Sequence, residues 1–130
     1  MSQSGDGRRV ARVENEVQRI VAQYLITHLN EELPGLVTVS RVKMPADLRT
    51  AKVYVSALFT DEHGAKLEQE VLMDQILETL QERASEIQSY INKNLRMRYC
   101  PRLTFYKDEV TEHVLKIEGI IHDLKKEKKD

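Results

Sequence analysis

The sequence predicts a small α+β domain, in which three strands form one sheet and helices pack on one of its faces. Three observations lead to this prediction. Some segments alternate apolar and polar residues, as half-buried strands do, whereas longer segments repeat apolar residues every three or four positions, as amphipathic helices do. The chain of 130 residues is also long enough to bury one hydrophobic core. The predicted order of elements is α-β-β-α-α-β-α.

The first helix is predicted from Arg8 to Asn30, because its apolar residues lie on one stripe. The stripe consists of Val10, Val13, Val17, Ile20, Val21, Tyr24, Leu25 and Leu29. Pro34 and Gly35 follow it and are typical of a segment where a helix has ended. Residues 1–7 are small and polar and predict a disordered leader.

Two strands are predicted next, from Leu36 to Met44 and from Ala51 to Phe59. The short loop between them implies an antiparallel pair. In the first strand the apolar phase changes between Val39 and Val42, which indicates a bulge or a twist. In the second strand the alternation is regular, so alternate residues such as Val53 should face the core.

Another helix is predicted over residues 65–83, with an apolar stripe of Leu67, Val71, Leu72, Ile76, Leu77 and Leu80. The apolar pattern continues to Leu95, and a straight helix of that length would measure about 45 Å. Because this exceeds the size of such a domain, we expect a break near Ala84 and Ser85.

The third strand is predicted from Arg102 to Lys107, after Pro101 has disfavoured helix in the residue before it. A right-handed helical crossover should make this strand parallel to the second. A last helix should begin at Asp108, a plausible N-cap. The domain is therefore predicted over residues 8–124, followed by a charged tail over residues 125–130.

The near-neutral net charge of −1 argues against a protein that coats nucleic acid or membranes by bulk attraction. The charge is unevenly distributed along the chain, however. Residues 61–86 carry a net charge of −6, whereas residues 87–107 carry five cations and no acid. This basic segment is the first indication of function.

Sequence motifs of catalysis are absent: the chain has no P-loop, no GxGxxG, no GxSxG and no HExxH. We therefore predict no catalytic residue, no metal site and no cofactor. The single cysteine, Cys100, excludes an intrachain disulfide and is interpreted as a small residue at the start of a strand, although Arg98 and Arg102 could lower its pKa. No apolar run is long enough for a membrane span.

Basic residues at several places are candidates for binding RNA, because phosphate recognition needs cations that converge on one surface. The candidates are Arg8, Arg9, Arg12, Lys43, Arg49, Lys52, Lys93, Arg96, Arg98 and Arg102. Tyr99 and Tyr106 lie among them and could stack on a base. The alternative is that the arginines complement a helix dipole and pair with the acidic second helix. The spacing alone leaves both interpretations open.

Three sequence blocks resemble the ribosome-binding factor A family. They are Arg8-Arg-Val-Ala-Arg-Val13, Asp47-Leu-Arg-Thr-Ala-Lys-Val-Tyr-Val-Ser56 and Leu95-Arg-Met-Arg-Tyr-Cys-Pro-Arg-Leu-Thr-Phe-Tyr-Lys-Asp108. The resemblance covers roughly residues 8–124 and implies a type II KH-like domain. It further implies a non-enzymatic, cytoplasmic assembly factor that binds the immature small (30S) ribosomal subunit. Such a factor assists late maturation and 5′-end processing of 16S rRNA and growth in the cold.

The same resemblance implies ribosomal proteins and assembly GTPases as further partners, and we expect a monomer. The chain departs from the family at the helix break, where an Ala-x-Gly kink is replaced by Ala84-Ser85-Glu86. It also has Gln88 where the family commonly has arginine, and it has no GxxG loop. These departures favour the cluster of Arg96, Arg98 and Arg102 over the kink as the RNA site. The alternative function is a protein-interaction adaptor that uses the acidic helix 65–83 or the terminal helix.

Overall fold

A three-stranded sheet with helices packed on one face forms the fold. The structure, a computed structural model, describes residues 2–59, 66–97 and 99–109. Its elements are α1 (Ser2–Tyr24), which continues into a π-helical turn (Leu25–Leu29), β1 (Leu36–Lys43), β2 (Thr50–Leu58), α2 (Lys66–Glu82), α3 (Ala84–Asn94) and β3 (Arg102–Lys107). The sheet order is β1-β2-β3. The predicted α+β class and the KH-like order α-β-β-α-α-β are confirmed.

The sheet has the predicted pairing: β1 is antiparallel to β2, and β3 is parallel to β2. The register shifts between Val39 and Arg41, so a bulge is present and Ser40 is the extra residue. Alternate residues of the central strand face the helices, and Val53 and Val55 are fully buried. The opposite face of the sheet, which we call the open face, carries polar side chains, two tyrosines and the exposed pair Leu36 and Leu58.

The first helix begins at Ser2, earlier than predicted, so residues 2–7 are helical where we expected a disordered leader. Once a helix has nucleated, each added residue gains a hydrogen bond for two fixed dihedrals, and the helix therefore extends through the glycines. At its other end the π-helical turn is closed by the Asn30 N–H, which donates to the Leu25 carbonyl at 2.8 Å. This turn was not predicted, because one widened turn leaves the apolar spacing almost unchanged.

The predicted break between α2 and α3 occurs at Arg83, whose backbone leaves the helical region with φ −92° and ψ 4°. One prediction about α2 is wrong: Val71 is 56% exposed, whereas Met73 is buried together with Ile76 and Leu80. Positions 73, 76 and 80 share one face at 100° per residue, and position 71 lies on the opposite side. The apolar character of Val71 alone had suggested burial.

The free edge of β3 is covered by two glutamine side chains. Gln81 accepts from the Phe105 N–H at 3.3 Å and donates to the Leu103 carbonyl at 3.1 Å. Gln88 accepts from the Leu103 N–H at 3.1 Å. Gln88 thus satisfies backbone groups of an edge strand that would otherwise be open to further pairing. After β3, the Asp108 N–H donates to the Val55 carbonyl at 2.9 Å, and the predicted terminal helix and tail, residues 110–130, lie outside the described residues.

Gly35 lies close against the end of β2, where an added side chain would be crowded. A Cβ at this position would meet the Leu58 carbonyl oxygen and the ring of Phe59, both at 3.0 Å. We therefore expect Gly35→Ala to lower the free energy of unfolding by about 1 to 3 kcal/mol, as other overpacking substitutions do. Urea titration followed by circular dichroism measures the change.

The control for this substitution is Gly7→Ala in α1, where a Cβ would meet nothing within 4 Å. In a helix, alanine is favoured over glycine by about 1 kcal/mol, so this variant should be as stable as the parent protein or more so. Equal stability of the Gly35→Ala variant and the parent would contradict the contacts described for Gly35.

Candidate nucleic-acid interface

A cavity of about 580 Å³ opens between the first half of α1, the β1–β2 loop and the segment that follows α3. We call it the arginine pocket because Arg9, Arg12 and Arg96 line it. The remaining lining residues are Val13, Glu16, Ala46, Asp47, Leu48, Leu95, Met97 and Tyr99. The pocket therefore joins parts of all three sequence blocks that carry the family resemblance.

The helix contributes one continuous face to the arginine pocket. Arg9, Arg12, Val13 and Glu16 follow the spacing 3, 4 and 7 that brings side chains to one side of an α-helix. Further along the same helix, Val17 and Ile20 are buried. The first half of α1 thus presents guanidinium groups at the end of the sheet, while its second half packs in the core.

The β1–β2 loop contributes a strained turn. Leu48 has a positive φ of 58° and is nevertheless buried, so its packing must offset a backbone cost of about 1 kcal/mol or more. The turn is closed by the Arg49 N–H, which donates to the Asp47 carboxylate at 3.1 Å. It leaves the Arg49 guanidinium 4.8 Å from the centre of the Tyr99 ring, a cation–π contact at the pocket rim.

The two carboxylates of the arginine pocket already have partners. Arg19 donates to Glu16 at 2.8 Å, and Asp47 accepts from the loop backbone. With Arg9, Arg12 and Arg96 all exposed, the pocket presents guanidinium groups to solvent. A planar guanidinium suits two-point contact with phosphate oxygens, so the arrangement can bind an RNA backbone.

The predicted RNA-binding residues fall on two surfaces. Arg9, Arg12 and Arg96 line the arginine pocket and Arg49 lies at its rim. Lys43, Lys52 and Arg102 belong instead to the open face. Lys43 is paired with Lys52 across β1 and β2, and Arg102 is paired with Thr50 across β3 and β2. Arg8 in α1 and Lys93 in α3 are exposed outside the pocket lining, and Arg98 lies outside the described residues.

Sequence reasoning missed the apolar walls of the arginine pocket, namely Leu48, Leu95 and Met97. The sequence pattern gave Leu48 and Met97 no role, and it marked Leu95 only as the end of an apolar helix pattern. A signal was present in the interleaving of Leu95 and Met97 with basic residues, which is unusual for a helix end that merely enters solvent. It could not identify the pocket, because the other walls come from distant parts of the chain.

The residues predicted at the kink form the first turn of α3, and Glu86 holds this turn to α1. The Glu86 carboxylate accepts hydrogen bonds from the Tyr24 hydroxyl and from Arg83, the latter at 3.1 Å. Arg83 also contacts Glu32 at 3.3 Å. Ala84 is buried beneath this turn. Glu86 therefore ties the first turn of α3 to α1, and we name Tyr24, Arg83 and Glu86 the kink latch.

The kink latch shifts the pKa values of its members, Tyr24 and Glu86 among them. Burial, together with the hydrogen bond to Glu86, raises the pKa of Tyr24 from 10.0 to about 12. The hydrogen bonds from Tyr24 and Arg83 lower the pKa of Glu86. The Glu86 carboxylate thus stays ionised to lower pH than an isolated glutamate, which keeps negative charge at the kink and argues against phosphate binding there.

The raised pKa of Tyr24 predicts an alkaline loss of stability. A folded-state pKa above the unfolded value stabilises the fold fully below pH 10, and that contribution disappears as the pH rises toward 12. We expect the free energy of unfolding to fall more steeply between pH 10 and 12 in the parent protein than in Tyr24→Phe. Denaturant titrations at several pH values measure both slopes. Identical slopes would contradict the buried, hydrogen-bonded state of this hydroxyl.

Cys100 does not have the electrostatics of a nucleophile. Partial burial raises the pKa of its thiol, and the Sγ lies 3.3 Å from the Gln88 carbonyl oxygen, to which it donates. The described surroundings therefore raise the pKa of this thiol, which agrees with the interpretation of Cys100 as a small residue before a strand. Within the described ranges, no three His, Cys, Asp or Glu side chains are grouped so that they could hold a metal ion.

Comparison with known proteins decides the family. The sequence model of the family described as "Ribosome-binding factor A" matches residues 9–121. The chain belongs to the ribosome-binding factor A family. A ribosome-binding factor A from Bdellovibrio bacteriovorus is 58% identical over 129 residues, which are 99% of this chain and 90% of that relative. The resemblance inferred from the three sequence blocks is confirmed.

Solved structures of ribosome-binding factor A share the fold. The solution structure of a putative ribosome-binding factor A from Thermotoga maritima is 31% identical, with a TM-score of 0.58 over 78% of this chain and 88% of that one. A homology model of the Thermus thermophilus ribosome-binding factor A, fitted into a cryo-electron-microscopy map of a 30S complex, is 24% identical, with a TM-score of 0.54 over 73% of this chain and 90% of that one. Among the described residues of the present member of the family, no helix has the length and apolar character required to cross a bilayer.

Proposed function

We propose that this protein is a non-catalytic assembly factor that binds the immature small ribosomal subunit and contacts its rRNA through the arginine pocket. The observation that carries the proposal is the convergence of Arg9, Arg12 and Arg96 on one cavity from two distant segments. Three guanidinium groups around a cavity of about 580 Å³ provide a local phosphate site in a chain whose net charge is only −1. Local binding without bulk attraction suits a factor that must recognise one site and later leave.

Membership of the ribosome-binding factor A family supports the same conclusion, as does the 30S complex of the Thermus thermophilus relative. The finer parts of the proposal follow from the family resemblance. They are assistance in late maturation and 5′-end processing of 16S rRNA, action in the cytoplasm as a monomer, cooperation with ribosomal proteins and assembly GTPases, and a contribution to growth in the cold.

Co-sedimentation with immature and mature small subunits over a range of salt concentrations tests the proposal. We expect the protein to sediment with the immature subunit in preference to the mature one. If the three guanidinium groups each contact a phosphate, the logarithm of the affinity should fall with the logarithm of salt at a slope of about −2. A flat salt response, or equal binding to both subunits, would show that a different surface or a different partner is involved.

The adaptor function that the sequence left open has one supporting observation. The solvent side of α2 carries five exposed carboxylates around the exposed Val71: Glu68, Glu70, Asp74, Glu78 and Glu82. Ribosomal proteins are basic, so this surface could contact one of them on the same subunit. Under this second proposal, charge reversal on α2 would weaken binding to the subunit and leave binding to protein-free rRNA unchanged.

A further inference from the structure

We propose that the open face of the sheet is a second RNA-binding surface, which takes unpaired nucleotides by stacking their bases on tyrosine rings. This inference goes beyond the function proposed above, since it concerns a different surface from the arginine pocket. It follows from one row of side chains across the three strands and from the charge of the strands that carry it.

The row consists of Arg41, Tyr54 and Tyr106, one residue from each strand. The strand register aligns Arg41 with Tyr54 and Tyr54 with Tyr106. The two tyrosine rings stack with their centroids 5.6 Å apart and their planes inclined by 30°. The Arg41 guanidinium lies 4.3 Å from the centre of the Tyr54 ring. The Tyr54 ring thus lies between the Arg41 guanidinium and the Tyr106 ring, and Tyr106, on the edge strand, is the ring that offers a face to a further stacked base.

This row is accessible to a partner. Tyr106 is 40% exposed, although a tyrosine on a packed sheet face would normally be covered. Arg41 is exposed and Tyr54 is half-buried. The next row toward the bulged end is small and polar, with the Thr38 and Ser56 hydroxyls 3.0 Å apart. Small neighbours on that side leave space for a planar ligand beside the rings.

The charge of the open face complements a phosphate backbone. None of the three strands contains an acidic residue. The outward positions carry four cations: Arg41, Lys43, Lys52 and Arg102. Lys43 and Lys52 are paired directly across β1 and β2, one row away from the tyrosines. Two like charges in that position destabilise an isolated sheet, whereas a bound phosphate would stabilise them.

The combination selects single-stranded RNA over other partners. Stacking on aromatic rings requires bases that are not already stacked in a duplex, and cations beside the rings track the backbone. A basic protein would be repelled by the four cations. An acidic protein would match the charge but would not need the exposed Tyr106 ring. The structure therefore favours an unpaired segment of RNA.

The test measures binding of a fluorescein-labelled RNA of ten adenines by anisotropy, with an RNA duplex of the same length as the comparison. The double variant Tyr54→Leu with Tyr106→Leu removes both rings and keeps apolar bulk. We expect it to bind the single strand at least fivefold more weakly, because one stacked base contributes about 1 to 3 kcal/mol. Tyr106→Leu alone should show a similar loss, because the Tyr106 ring offers the stacking face, so the test does not depend on the double variant alone.

The matched control is Tyr54→Phe with Tyr106→Phe, which keeps the rings and should retain the parent affinity. A role confined to sheet stability would change the melting temperature of the leucine variants without changing RNA binding by the folded protein. Arg41→Gln should reduce the slope of log affinity against log salt by about 0.7, the value for one phosphate contact on a single strand.

Three outcomes would overturn the inference: unchanged single-strand binding in a folded leucine variant, an equal loss in the phenylalanine control, or tighter binding of the duplex than of the single strand. If the leucine variant kept oligonucleotide binding but lost small subunits, the open face would contact a protein, and the inference would again be wrong. The proposed assembly function is tested separately from the open face: it would be wrong if the parent protein did not bind immature subunits.

Discussion

Replacing Val53 with aspartate is expected to unfold the protein. Val53 is fully buried at the centre of the middle strand, aligned with Val42 on one side and Phe105 on the other. An aspartate here must either bury an unpaired charge or take up a proton, and either cost adds to the lost apolar contacts. The expected loss of about 4 to 5 kcal/mol approaches the whole stability of an ordinary domain, about 5 to 15 kcal/mol.

Circular dichroism and thermal melting measure this effect, and Lys52→Asp is the matched control. Lys52 is the neighbouring residue and is exposed on the open face. The same aspartate there should leave the protein folded, with a loss of about 1 kcal/mol that reflects the low strand preference of aspartate. The loss in the free energy of unfolding for Val53→Ala should lie between the losses for Val53→Asp and Lys52→Asp. A native spectrum and melting temperature for Val53→Asp would mean that the facing of β2 described above is wrong.

Reversing two charges of the arginine pocket, Arg12→Glu with Arg96→Glu, is expected to abolish co-sedimentation with immature small subunits. The two residues come from α1 and from the segment after α3, so both walls of the pocket become repulsive to phosphate. A charge-assisted hydrogen bond contributes about 1.5 to 3 kcal/mol, so losing two of them weakens binding by a factor of about 100 or more. Both side chains are exposed, and the fold should remain native by circular dichroism.

The control carries the same change in net charge outside the pocket: Arg8→Glu with Lys93→Glu. Both residues were candidates from the sequence, but neither lines the pocket. If bulk charge governed binding, the two double variants would be equally weak. If the arginine pocket is the site, the control should lose only the part of its affinity that comes from long-range attraction, which disappears at moderate salt. Normal co-sedimentation of Arg12→Glu with Arg96→Glu would move the RNA site to another surface.

The order and type of the elements could be predicted because each follows from a local pattern. Alternation over Ala51–Phe59 identified β2 and its buried face, and the length argument placed the break beside Arg83. The change of apolar phase within β1 left a bulge and a twist open, and the strand register shows that it is a bulge. The widened turn at Leu25–Leu29 and the exposure of Val71 were not visible, because both depend on how the helices pack against the sheet.

The candidate functional surfaces could be identified only from the tertiary structure. The sequence identified ten candidate cations but could not separate Arg96, which lines the pocket with Arg9 and Arg12, from Lys52, which lies on the open face. The sequence suggested that Glu86 repels phosphate. It did not show that Glu86 accepts hydrogen bonds from Arg83, one helical turn away, and from Tyr24, which is 62 residues away along the chain.

By itself, then, the sequence of this protein determined its family, its elements and the composition of its basic segments. Only the tertiary structure decided which side chains share a surface: three arginines around one cavity, and Arg41, Tyr54 and Tyr106 in one row. The physical reason is the range of the interactions. Helix and strand patterns arise between residues a few positions apart, whereas a pocket or a cross-strand row depends on the register and packing of segments distant along the chain.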